Sequence, residues 1–299
     1  MIQPPFLKKG DKIAILAPAR SISFEEVHPA MKLFQKWGLE VILGSYVFST
    51  ENQFAGTDAQ RMKDVQDMLD DASVRAIICA RGGYGTVRII DKLDFSRFLR
   101  YPKWIVGYSD ITVLHSHIHR HFGIETMHAT MPVNMAEKAL CGTSVESLRK
   151  ALYGEEIIYS KRLGELDRTG AGEGFLCGGN LSILYSLVGS HSQIDTKGKI
   201  LFIEDVDEYL YHVDRMMMNL KRAGMLRDLK GLIAGSMHEM KDNAVPFGKT
   251  AQQIIADAVR EYKYPVCFDF PAGHDPENVA MILGRRVKLI VDEEVEVGF

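Results

Sequence analysis

Cysteine is scarce and unpatterned in this 299-residue chain: Cys79, Cys141, Cys177 and Cys267 stand far apart, with no C-x-x-C pair among them. That spacing excludes a zinc knuckle and a dense disulfide framework, and it reads as buried thiols in a reducing compartment. Long apolar runs are missing as well; none approaches the eighteen or so residues of a membrane span. The short run Ile13 to Ala17 after Lys8 and Lys9 imitates a signal peptide, but Asp11 interrupts its approach and Pro18 closes it. A buried first strand is the expectation there, in a cytoplasmic protein. Nor is there an excess of one charge: 36 Lys and Arg stand against 39 Asp and Glu, a formal net charge of −3. Without a basic footprint, neither nucleic acid nor an anionic membrane surface is an expected partner, and a small or peptide-like ligand fits better. The chain shows no internal repeat and no low-complexity tract.

What is present is a rhythm. In the first half, short apolar runs alternate with amphipathic stretches: strands at Ile13 to Ala17, Glu40 to Leu43, Ala76 to Cys79, Trp104 to Val106 and Thr126 to His128, with helices at Glu25 to Trp37, Ala59 to Leu69, Thr86 to Leu93 and Ile111 to His121. Such alternation predicts a doubly wound parallel sheet, whose ligands sit at the carboxyl ends of the strands. The second half is less regular. Glycines cluster between Gly170 and Gly179, ahead of a helical run from Leu181 to Val188. Strands are expected at Lys199 to Val206, Leu232 to Met237, Val266 to Phe270, Val279 to Leu283 and Val287 to Val291, and helices at Asp207 to Leu226 and Thr250 to Tyr262. The length suits two domains: an α/β unit over 1–145, a linker over 146–170, and a mixed α+β unit over 171–299.

The most informative stretch is Ile105-Val106-Gly107-Tyr108-Ser109-Asp110-Ile111, where an apolar run ends in glycine, presents a serine and turns at once into a helical pattern. A serine on such a turn is a candidate nucleophile, since helix-opening amides point at any oxyanion formed beside it; the plainer reading is a helix N-cap. A serine hydroxyl needs an imidazole to take its proton and a carboxylate to fix the imidazole's tautomer. Of ten histidines, His274 has the most telling setting, in Phe270-Pro271-Ala272-Gly273-His274-Asp275-Pro276, a tight loop after an expected strand. The acid is expected in Phe202-Ile203-Glu204-Asp205-Val206, as Glu204 or Asp205. The run Ala80-Arg81-Gly82-Gly83-Tyr84-Gly85-Thr86 follows another strand. Arginine at position 88 breaks the dinucleotide fingerprint, so an oxyanion hole is the sharper reading, with a tight βα turn as the bland one. His115, His117, His119 and His121 pair at i, i+4 but lack the glutamate of H-E-x-x-H, which favours a helix face over a metal site. The Met216-Met217-Met218 run reads as core or interface.

Together, Gly107-Tyr108-Ser109-Asp110 after Trp104-Ile105-Val106, then Phe202-Ile203-Glu204-Asp205, then Ala272-Gly273-His274 resemble the three signatures of the LD-carboxypeptidase family of serine peptidases, the muramoyltetrapeptide carboxypeptidase or S66 family. Ala17-Pro18-Ala19, Arg81-Gly82-Gly83-Tyr84-Gly85 and Gly178-Gly179-Asn180-Leu181 resemble further family segments, so the likeness runs through essentially the whole chain. The resemblance implies a flavodoxin- or class I glutamine amidotransferase-like first domain carrying Ser109 as nucleophile. It also implies a second domain carrying His274 as general base and then acid, and Glu204 as the carboxylate that orients it. The backbone amides of Asp110, Gly82 and Gly83 would form the oxyanion hole. No metal and no cofactor are implied, and a homodimer is. Isoleucine at position 111, where the lipase elbow G-x-S-x-G has glycine, sets the chain apart from the ordinary α/β-hydrolases. The implied reaction removes the terminal D-alanine from cytoplasmic murein tetrapeptides in peptidoglycan recycling. Two alternatives accompany it: a microcin C immunity-type peptidase that cleaves aminoacyl-nucleotide amides, and a non-catalytic peptide-binding protein on the same scaffold. The chain has no extended aromatic insertion between Ser109 and Glu204 that would argue for the immunity branch.

Overall fold

The β-branched runs of the first half become a parallel sheet. A computed structural model describes residues 1–136 and 142–299, so Cys141 lies outside the described residues. Its first five strands are β1 (Lys12–Leu16), β2 (Glu40–Leu43), β3 (Val74–Cys79), β4 (Trp104–Val106) and β5 (Thr126–His128). They are joined by helices α1 (Phe24–Lys36), α2 (Asp58–Asp70), α3 (Ser96–Arg100) and α4 (Thr112–His121). The order β2-β1-β3-β4-β5, all parallel, is the doubly wound arrangement of flavodoxin-like sheets. Local chemistry starts the helices where they are needed. Ser23 and Glu26 form a reciprocal capping box at the head of α1, and Thr57 and Gln60 do the same for α2. The expected helix from Thr86 to Leu93 is instead two single 3₁₀ turns, Thr86–Arg88 and Ile90–Lys92. Asp110 takes the Thr86 N–H, which ties the start of this stretch to the serine turn rather than to a helix of its own.

The region expected as a linker over 146–170 carries regular structure. After α5 (Pro132–Met135), helix α6 (Gly142–Tyr153) buries Leu148, Ala151 and Leu152 in the first core. Strand β6 (Ile158–Arg162) forms an edge of the second sheet. Then come β7 (Gly170–Asn180), α7 (Leu181–Ser186), β8 (Ile200–Val206), α8 (Leu210–Arg222), β9 (Gly231–His238), α9 (Ala251–Ala258), β10 (Val266–Cys267), β11 (Met281–Leu283), β12 (Arg286–Val291) and β13 (Glu294–Gly298). The second sheet runs β10-β9-β8-β7-β12-β13-β6, parallel from β10 to β7 and antiparallel from β7 to β6. β11 crosses back and pairs antiparallel with β5, so the first sheet gains a sixth strand from the far end of the chain. The α/β class holds, with both sheets mixed. Met216 and Met217 are fully buried in the second core, and the thiols of Cys79, Cys177 and Cys267 are buried.

The glycine cluster is the element that sequence pattern hides, because β7 has too few side chains to show a strand period. Its glycines serve close approach. A Cβ on Gly172 would collide with the Lys230 carbonyl, and one on Gly178, at φ +129°, with the Phe202 carbonyl of β8. Gly178→Ala therefore combines a disfavoured backbone with a backbone collision, and is expected to cost about 3 kcal/mol or more of folding stability in chemical denaturation. A wild-type midpoint would contradict the tight β7–β8 contact.

Candidate active site

Strand ends of both sheets converge on one cavity of about 380 Å³, with Ser109, Gly82 and Gly83 on its first-lobe wall and Asn180, Asp205 and His274 on its second. Ser109 follows β4 by three residues and sits at φ +63°, in the left-handed region that a non-glycine residue enters at a cost of order 1–3 kcal/mol. The surroundings enforce this conformation. Gly107, at φ +155°, donates its N–H to Met127 at 3.0 Å, and its carbonyl accepts from His115 Nε2 at 2.8 Å. Asp110, buried directly beside the serine, accepts the Thr86 N–H at 2.8 Å. The serine turn is thus fixed from β5, from α4 and from the glycine turn after β3. Ser109 opens a 3₁₀ turn running straight into α4 and makes no side-chain N-cap bond, so the plain N-cap reading does not describe it.

The glycine turn lies directly against that serine. A Cβ on Gly82 would stand 2.8 Å from Ser109 Cβ and 3.0 Å from Oγ, so only glycine leaves the hydroxyl room. Among the described residues, the N–H groups of Gly82 and Gly83 donate no hydrogen bond. Unpaired amides beside a hydroxyl form an anion receptor. Arg61, whose side chain is wholly buried, holds the turn in place by donating to Pro18 O at 2.7 Å and Gly85 O at 3.0 Å while pairing with Asp58. Nothing in the sequence marks Arg61, because an arginine on an amphipathic helix carries no sign that it is buried.

On the opposite wall, Glu204 and Asp205 lie near the end of β8 and point to different sides, as neighbours on a strand do. Glu204 is fully buried, and its Oε2 accepts from His274 Nδ1 at 2.6 Å. Asp205 instead accepts from Asn180 Nδ2 at 3.0 Å and Ser182 N at 2.8 Å. The structure thus pairs the histidine with Glu204. Burial, with the Glu204 charge next door, pushes the Asp205 carboxyl up to about 7. For His274, burial disfavours the charged ring, but the Glu204 carboxylate and its hydrogen bond outweigh this and hold the pKa above the ordinary histidine value. The loop carrying the ring is pinned: His274 N donates to Ser236 Oγ at 2.9 Å, Gly273 N to Asn278 Oδ1 at 3.0 Å, and Tyr108 meets the ring edge-on with centroids 4.8 Å apart. Ser236 and Asn278 are supports that no motif announced, and Tyr108 lies in the serine signature with no sign there of its contact with the ring.

The two walls meet where Asn180 N donates to Thr112 Oγ1 at 3.0 Å, three residues after Ser109. Gly179 permits that approach, since a Cβ there would fall 2.5 Å from the same hydroxyl. Every histidine of the α4 run has a hydrogen-bond partner, with His115 and His119 buried and His121 exposed. His115 bonds Gly107, His119 bonds Thr126, His117 bonds Ser192 and His121 bonds the His191 carbonyl. A larger hollow of about 530 Å³, lined by Arg168, Lys249 and Arg260, contains none of the residues of the serine site.

Residues 13–129 match the LD-carboxypeptidase N-terminal domain and residues 173–289 the LD-carboxypeptidase C-terminal domain. The chain belongs to the LD-carboxypeptidase family, S66 of the serine peptidases. It is 35% identical over 306 residues to a probable murein peptide carboxypeptidase of Bacillus subtilis, covering 99% of this chain and 93% of that protein. The solved muramoyltetrapeptide carboxypeptidase of Oxalobacter formigenes superposes with a TM-score of 0.87 at 27% identity, over 96% of this chain and 99% of that one. MccF solved with glutamyl sulfamoyl guanosine shares the fold, with a TM-score of 0.88 at 22% identity over 100% and 98% of the two chains. No helix among the described residues is long and apolar enough to cross a membrane.

Proposed function

We propose that this protein is a cytoplasmic, dimeric serine LD-carboxypeptidase that releases the terminal D-alanine from murein tetrapeptides during peptidoglycan recycling. One observation carries the reading: a serine on a strained turn and a histidine bonded to a buried carboxylate face the same cavity from two lobes. With Nδ1–H held by Glu204, the His274 Nε2 lone pair is left to take the Ser109 proton as Oγ attacks the scissile carbonyl. The new C–O bond places negative charge on the carbonyl oxygen, where the N–H groups of Gly82, Gly83 and Asp110 receive it. His274 then gives its proton to the departing D-alanine nitrogen as the C–N bond breaks, and water, deprotonated by the same ring, frees the acyl-serine. The family relatives support the peptide class, and the site's own groups supply every proton transfer.

The test is direct. Purified protein incubated with L-Ala-γ-D-Glu-meso-Dap-D-Ala is expected to yield the tripeptide and free D-alanine by mass spectrometry. A fluorophosphonate is expected to label Ser109 and block that release. An intact tetrapeptide after prolonged incubation would end the proposal.

A further inference from the structure

A carboxypeptidase must recognise a chain end, and two arginines, Arg20 and Arg81, line the cavity. Arg81 is already engaged, with Nη1 3.4 Å from Glu26 Oε1 and 3.4 Å from the Ser21 carbonyl. Arg20 is different: among the described residues its side chain has no hydrogen bond and no ion pair. Its position is nevertheless set. Its N–H donates to Gly82 O at 3.3 Å, and its backbone bridges to Phe54. The side-chain stem crosses Gly83, with Cβ, Cδ and Cγ lying 2.9, 3.1 and 3.5 Å from where a side chain at 83 would begin. Gly83, at φ +109°, is therefore the floor on which the arginine lies, one residue from the glycine that touches Ser109.

We propose that Arg20 binds the free α-carboxylate of the substrate's last residue and so makes the enzyme an exopeptidase. The inference rests on the serine carboxypeptidase reading. In a C-terminal residue only the amide nitrogen and one Cα separate the scissile carbonyl from the terminal carboxylate, a span of about 4 Å. A receptor for that carboxylate must begin next to the oxyanion site, which is where Arg20 lies along Gly82 and Gly83. A guanidinium fork matches a carboxylate in two parallel hydrogen bonds, whereas an ammonium offers a point charge. A cation with no internal partner enters this contact without first breaking another.

The experiment compares the tetrapeptide ending in D-alanine with the same peptide ending in D-alaninamide, which keeps the scissile bond and removes the charge. Wild-type enzyme is expected to prefer the acid strongly. Arg20→Met is expected to lower kcat/KM on the acid on the order of 100-fold and to bring the acid-to-amide ratio close to one, with Arg20→Lys retaining part of the preference. Equal losses on both peptides would make Arg20 a prop for the turn, and no loss would leave it idle. A ratio that collapses in Arg81→Met instead would move the role to that residue. Each of these overturns the proposal while leaving the serine mechanism standing. A wild-type protein inert toward both peptides would sink the serine mechanism and this inference together.

Discussion

Ser109→Ala is expected to reduce kcat for D-alanine release by about 10⁴-fold or more, with the protein still folded. The hydroxyl forms the covalent bond in this reading, so nothing else in the cavity replaces it. What remains is catalysis by the anion-binding turn and by substrate positioning, which act with water as the attacking group. Because the proposed mechanism has Ser109 and His274 act in one step, the double variant Ser109→Ala, His274→Ala is expected to be little worse than either single change. A companion substitution separates chemistry from folding. Ser109 occupies φ +63°, which glycine adopts freely, so Ser109→Gly is expected to be inactive yet more stable than wild type by about 1 kcal/mol. Turnover by the purified alanine variant within tenfold of wild type would remove Ser109 from the role of nucleophile.

Much of this site is legible in sequence because its parts sit at strand ends, where local pattern is strongest. The apolar runs at 104–106 and 200–206 are buried on both faces, so they read as near-continuous hydrophobic stretches, and the polar residues that end them stand out. Local pattern left Glu204 and Asp205 open, and only the family resemblance favoured Glu204. Both are buried, and only the direction each carboxylate takes from the strand pairs one with His274 and the other with Asn180 and Ser182. The boundary between lobes was not legible either, because β11 and α6 serve the first core from beyond it; a chain crossing between sheets leaves no mark in composition. The strand β7 escaped for a different reason. Hydrophobic period needs side chains, and Gly170, Gly172, Gly174, Gly178 and Gly179 have none to offer.

The histidine run shows the opposite failure, a pattern louder than its meaning. Spacing at i, i+4 places His115 and His119 on one face of α4, but that face is the buried one. Burial holds both rings far below the ordinary histidine range, at about 4 for His115 and about 3 for His119, so both are neutral near pH 7. A neutral ring with Nε2–H is what the Gly107 carbonyl requires as a donor, and that bond helps hold Ser109 in its strained turn. His115 thus supports Ser109 from behind, through the backbone.

Glu204→Gln is expected to cost about 10³- to 10⁴-fold in kcat/KM and to move the acid limb of the pH profile to lower pH. The loss follows from the tautomer. A glutamine amide can turn its NH₂ toward Nδ1, which then accepts and leaves the proton on Nε2, where the base's lone pair should be. The direction of the shift follows from the charges around His274. Activity requires the neutral ring, so kcat/KM rises as pH climbs through the His274 pKa. In the wild type, burial works to lower that pKa, but the Glu204 carboxylate overcomes it and holds the value above the ordinary one near 6.5. Removing the charge leaves burial as the main influence, so the ring deprotonates at lower pH and the limb moves with it. Asp205 titrates near 7 in the same cavity, and its own pKa also falls when Glu204 loses its charge. Asp205→Asn identifies the limb: measured over the same pH range, it is expected to keep the limb, moved lower by less than in Glu204→Gln, because Glu204 still holds the ring and Asp205 raises it less. An acid limb that vanishes in Asp205→Asn would assign the titration to Asp205, and one that stays in place in Glu204→Gln would deny Glu204 its hold on the histidine.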